Sequence, residues 1–103
     1  MEMRLRSKKK VYHVTTPRKL KRYELTGGIL PPVRYWTTLY SAVRWARRTG
    51  RTLILVFDEP EDSYPLPIKG GAKWCKEMVR KWEVIEVSQA HKLLKGNQFI
   101  KVR

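Results

Sequence analysis

The stretch KVYHVTTPRKL, residues 10–20, sets an imidazole at His13 two positions ahead of a hydroxyl at Thr15. A neutral imidazole donates from one ring nitrogen and accepts at the other, so it can serve both sides of a polar ligand contact. The same ring on a strand can also be a packed residue satisfied by a backbone carbonyl, and both readings stand at this point. Few other residues compete for chemistry. The serines are Ser7, Ser41, Ser63 and Ser88, none of them in a Gly-x-Ser-x-Gly elbow. There is no Gly-x-Gly-x-x-Gly and no Gly-Lys-Ser/Thr, which argues against doubly wound dinucleotide binding and phosphate-loop NTPase chemistry. Cys75 has no second cysteine to pair with, and with only His13 and His91 beside it there is no thiolate and imidazole set for zinc, so no metal site is expected.

The elements that must position His13 are readable from composition and breakers. VYHVT (11–15) has the β-branched and aromatic content of a strand. Thr16 can cap a helix with Pro17 in its first position, ending at Gly27-Gly28. The paired prolines 31 and 32 forbid a helix, so the chain runs extended over 33–36. Leu39, Ala42, Val43 and Ala46 recur at helical spacing between the Thr37-Thr38 caps and Gly50, giving the strongest helix, 38–49. A continuous apolar strand over 52–58 is expected to be buried on both faces, followed by an acidic, proline-containing loop that leads at most into a short strand near 66–68. Beyond it the pattern predicts a short helix within GGAKWCKEMVRKW, a half-buried strand at 82–87, a helical turn QAHKLL that Ser88 caps, and a closing strand at 98–102.

The expected class is α+β, a single small domain of mixed or antiparallel sheets with two main helices, over residues 11–103 behind a basic arm at 1–10. No apolar run reaches the ~20 residues of a membrane span, and the start MEMRLRSKKK lacks the apolar block of a secretory signal, so a cytoplasmic protein without membrane contact is expected. With 23 Lys+Arg against 9 Asp+Glu, the net charge of +14 attracts polyanions, and nucleic acid is the leading partner class. The candidate contacts are Arg4, Arg6, Lys8, Lys9 and Lys10 in the arm and Arg44, Arg47 and Arg48 on the 38–49 helix. These arginines, with Arg51, fall away from the apolar stripe, toward solvent or toward a phosphate-bearing ligand.

YHVTT, then a helix, a glycine pair, LPP, YWTTLYSAVRWA and an apolar strand resembles the ADP-ribosyltransferase-like superfamily, which includes the ADP-ribosyltransferases and the RNA 2'-phosphotransferases. The resemblance covers residues 10–58 well and the remainder loosely. It implies an NAD-using enzyme acting on a nucleic acid or other polyanion. In that reading His13 contacts the ribose or nicotinamide side of NAD, Thr15 fixes the strand end, and Tyr35, in preference to Trp36, stacks on the nicotinamide ring. Ala42 and Trp45 match the family's small residue followed by an aromatic. The late-strand glutamate is Glu83, with Glu86 and Gln98 as alternatives. Cleaving the ribose–nicotinamide bond develops oxocarbenium character, which a nearby carboxylate stabilises. Read from the residues alone, Tyr35 and Trp36 can equally be core rings and Glu83 a solvent-facing strand residue. The alternative function is a non-catalytic basic nucleic-acid-binding module of the same or another α+β fold.

Overall fold

A computed structural model of the chain describes residues 9–68 and 70–102. They form an α+β domain: β1 (Lys10–Thr15), α1 (Pro17–Thr26), β2 (Val33–Trp36), α2 (Leu39–Thr49), β3 (Leu53–Asp58), β4 (Tyr64–Pro65), β5 (Ala72–Cys75), β6 (Glu83–Glu86) and α3 (Val87–Val102). The strands make one six-stranded sheet in the order β4-β5-β2-β1-β3-β6, and every pairing is antiparallel.

Both early helices start and stop where their caps dictate. The Thr16 hydroxyl accepts from the Lys19 amide, Pro17 opens α1, and Gly27 closes it in the left-handed region at φ 83°. In α2 the Thr38 hydroxyl accepts from the Ser41 amide, and Gly50 closes the helix at φ 72°. Gly28 is required by space instead: a Cβ there would lie 2.8 Å from the Val79 carbonyl oxygen, which the Ile29 amide uses at 2.8 Å to bridge the two segments.

Successive strand residues point to opposite faces, and the sheet buries both. One face carries Val11, Val33, Tyr35, Leu55, Phe57 and Cys75, covered by Leu20 and Tyr23 of α1 and by the Ile29 and Val79 segments. The other carries Val14, Ile54 and half-buried Trp36, against Ala42, Val43 and Ala46 of α2 and Ala90 of α3. β3 therefore has apolar residues on both sides, as its unbroken apolar run requires.

Four expectations in the second half are corrected. Residues 72–75 are a strand, because Gly70 and Gly71 (φ 101° and 80°) turn the chain sharply and lay Ala72–Cys75 along β2. The short strand of the acidic loop lies at Tyr64–Pro65, where it pairs with β5, instead of at 66–68. The third helix begins at Val87 and does not wait for Ser88 to cap it. It then runs through Gly96-Asn97 to Val102, so the closing strand at 98–102 is helical and the domain has three helices among its described residues. A glycine inside a helix costs only about 1 kcal/mol relative to alanine and does not force a stop. A five-residue apolar alternation does not by itself distinguish strand from helix.

Candidate functional site

His13 sits where the sheet divides. β1 and β2 pair at Tyr12 and Trp36, and beside that pair the His13 ring takes the Arg34 carbonyl, its Nδ1–H donating at 2.6 Å. A carbonyl can only accept, so Nδ1 carries the proton and Nε2 is left as the acceptor. The Tyr23 hydroxyl donates to Nε2 at 3.2 Å, its ring tilted against the imidazole at 5.7 Å. The two readings of His13 thus coexist, since a backbone carbonyl satisfies one nitrogen while the ring lines a cavity.

That cavity, about 620 Å³, is lined by residues of β1 and β2 that point to both faces of the sheet. Lys19 and Tyr23 of α1 approach from one side, and Trp36 and Trp45, 5.9 Å apart and tilted, from the other. Arg34 and Arg51 add two cations, Leu66 to Ile68 make a wall, and no carboxylate lines it among the described residues. Trp36 is held in place partly by the Gly70 turn, where a Cβ would come within 2.9 Å of its ring. The volume lies within the roughly 300–1,000 Å³ of small-molecule sites. Its lining offers cations for phosphate and flat rings for a heterocycle.

Burial disfavours the charged form of His13 and is the main reason its basicity lies below the ordinary 6.5, with Lys19 and Arg51 pushing the same way and the Arg34 carbonyl opposing. The unfolded chain therefore takes up this proton first as pH falls. Stability is expected to decline from about pH 6.5 down to the folded-state value and then to level off. His91, lowered by partial desolvation and by Arg47 and Lys95, contributes in the same direction. A ring-proton NMR titration should place the His13 midpoint below 6.5; a midpoint at or above it would contradict the packing described.

Of the other expected site residues that are described, only Tyr35 lines the same cavity. The Tyr35 ring is a core ring, 1% exposed, edge-on to Phe57 at 5.8 Å, and its hydroxyl donates to Glu59 Oε2 at 3.2 Å. Tyr35 and Trp36 both line the cavity, but a Tyr35 ring this deeply buried has little face to offer a ligand, so the stacking role expected of it falls to Trp36. Thr15 is fully buried, its hydroxyl has no hydrogen-bond partner, and it is not among the residues that line the cavity. Glu83 is opposite Val56, which is opposite Tyr12, and this register puts its side chain on the face away from His13. Glu86 is opposite Leu53, itself opposite Thr15, so it shares the His13 face two strands away. Of Gln98 only the helical backbone is described. The Cys75 thiol is buried and pushed up to about 11 by desolvation, which makes it a poor nucleophile.

Among the basic residues, Arg4, Arg6 and Lys8 lie outside the described residues. Lys9 is exposed, and Lys10 pairs with Asp58 at 2.9 Å. Arg44 lies over the Tyr40 ring at 5.7 Å, Arg47 donates to His91 Nε2 at 3.2 Å, and Arg48 is exposed. Lys19, Tyr23 and Arg34 entered no sequence expectation. Tyr23 was detectable as the residue three after Leu20 on one face of α1, whereas Arg34 depends on the pairing of β1 with β2 and has no local signal. Among the described residues no group of three or more His, Cys, Asp and Glu could hold a metal ion, and no helix is long and apolar enough to cross a membrane. No protein-family model, no curated protein and no solved structure matches this chain.

Proposed function

We propose that this domain is ADP-ribosyltransferase-like and binds a phosphate-bearing nucleotide, NAD by the sequence resemblance, in the cavity between β1 and β2. The observation that carries the reading is the lining itself: an imidazole with one nitrogen fixed as acceptor, three cations and two tryptophan rings around a volume of ligand size. Lys19, Arg34 and Arg51 would hold the phosphates, Trp36 and Trp45 a ring, and the His13–Tyr23 pair a ribose hydroxyl. The carboxylate that the resemblance asks for is better supplied by Glu86 than by Glu83, because only Glu86 shares the face of His13.

The test is calorimetric titration with NAD, followed by an assay for nicotinamide release. Binding in the micromolar to low millimolar range is expected. Glu86→Gln should lower turnover by about 100-fold with little change in binding, as expected for a group that acts on charge developing in the transition state. Glu83→Gln should leave both unchanged. Absence of NAD binding by the folded parent protein would remove this reading and favour the basic nucleic-acid-binding module. Binding without turnover would leave a non-catalytic nucleotide-binding domain.

A further inference from the structure

We infer that a single strand of nucleic acid reaches the cleft along a cationic trough that bends around the C-terminal end of α2. This rests on the cleft being the ligand site, and it names the macromolecule brought to that site and the path it takes. Two further hollows adjoin the cleft, and shared side chains join them. Arg51 lines the cleft and also a hollow of about 680 Å³ where α1, α2, β3 and α3 meet. Arg47 and His91 line that hollow and also a third, of about 400 Å³, between α2 and α3.

Along this path Arg44 and Arg47 lie three residues apart on α2, the spacing of one helical stripe, and Arg51 follows just past the Gly50 cap. Lys92 and Lys95 face them from α3, and Glu86 is the single carboxylate in the two outer hollows. Thr52 and Ser88 add hydroxyls for phosphate or sugar oxygens. Aromatic faces stand at both ends, Tyr40 at the outer one and Trp36 and Trp45 in the cleft, as a strand that stacks its bases requires. The bland account of Arg47 and Arg48 is that last-turn cations offset the helix dipole. It does not explain why the cations continue onto α3 and into the cleft. A duplex, stiff over about 150 base pairs, cannot follow a bend around a helix end. A single strand can.

The experiment measures fluorescence anisotropy of a labelled single-stranded RNA and DNA of about 12 nucleotides, without NAD, between about 50 and 200 mM salt. The variant Arg44→Ala/Arg47→Ala/Lys92→Ala should weaken binding at least about tenfold and reduce the slope of log K against log salt by about 2, the counterion release of three single-strand phosphate contacts. The control Arg18→Ala/Lys21→Ala/Arg22→Ala removes equal charge from exposed positions of α1 that line neither hollow. It should change affinity less than about threefold, the residual long-range effect of lost net charge. Photocrosslinking of 4-thiouridine oligonucleotides to the unaltered protein should mark residues 39–52 and 87–95, a readout independent of how the variants fold.

Equal losses in the two variants, or crosslinks on α1 or the β4–β5 edge, would overturn the trough. So would duplex binding as tight as single-strand binding, or displacement of the oligonucleotide by polyglutamate at matched charge, which would make the partner an acidic protein. The cleft and the trough fail separately. NAD binding without oligonucleotide binding removes the trough, and oligonucleotide binding without NAD removes the nucleotide reading of the cleft.

Discussion

Replacing Tyr35 by alanine is expected to remove about a third or more of the protein's stability and to leave it marginally folded at room temperature. The ring is among the largest fully buried side chains, packed edge-on to Phe57 within the cluster that holds Val11, Leu55 and Val79. Truncating a buried aromatic costs about 3–5 kcal/mol, from lost transfer energy and the cavity left behind. Domains of this size have only about 5–15 kcal/mol in total. Tyr35→Phe keeps the ring and removes the hydroxyl that donates to Glu59. Lys73 Nζ remains 3.1 Å from that carboxylate, so the loss should be near 1.5 kcal/mol, the lower end for bonds to charged groups. Urea denaturation of the two variants measures both values. A third variant decides the role of the ring. If Tyr35 stacked on a ligand as the resemblance implies, Tyr35→Leu, titrated under conditions where it is still folded, would lose ligand affinity while Tyr35→Phe, which keeps the ring, would not. Unchanged affinity in both, with a loss of stability, fits the core position.

The difference between Tyr35 and Trp36 shows how far the sequence could be read. Caps and breakers are local, so Thr16, Pro17, Gly27, Thr38 and Gly50 bound α1 and α2 where their chemistry says they should. The position of His13 on the first strand was legible for the same reason. Which face of a sheet a strand residue takes is a question of parity, and a shift of one residue exchanges the faces. Glu83 against Glu86 could be decided only by the register of β6 with β3, and Tyr35 against Trp36 only by which ring the core takes, since both residues line the cavity. The later helix–strand assignments failed for another reason. AKWC and QFIKV are too short for periodicity to choose, and pairing with β2 decides the first, while the second is carried along by the helix that begins at Val87.

The second large effect is expected at Arg51, the one residue among those described that lines both the cleft and the hollow beside it. The residue is half-buried just past the end of α2, and its amide is tied to the Ala46 carbonyl at 2.9 Å, so its backbone position is set by the helix cap and should survive a change of side chain. Removing a charge-assisted contact costs about 1.5–3 kcal/mol, which corresponds to a loss of roughly 10- to 150-fold in affinity. Arg51→Ala should therefore weaken NAD and oligonucleotide binding together by that order. Arg51→Lys should restore only part of the loss, because a point charge cannot reproduce the planar bidentate grip on phosphate. A ligand-free signal accompanies these losses. Arg51 is one of the cations that depress His13, so its removal should raise the His13 midpoint in a ring-proton titration, whatever the ligand proves to be. If the midpoint rises and both affinities are unchanged, Arg51 faces His13 without touching either ligand, and the phosphates must be held elsewhere in the cleft. If only oligonucleotide binding falls, Arg51 belongs to the trough alone, and Lys19 and Arg34 are the cations left to meet the nucleotide.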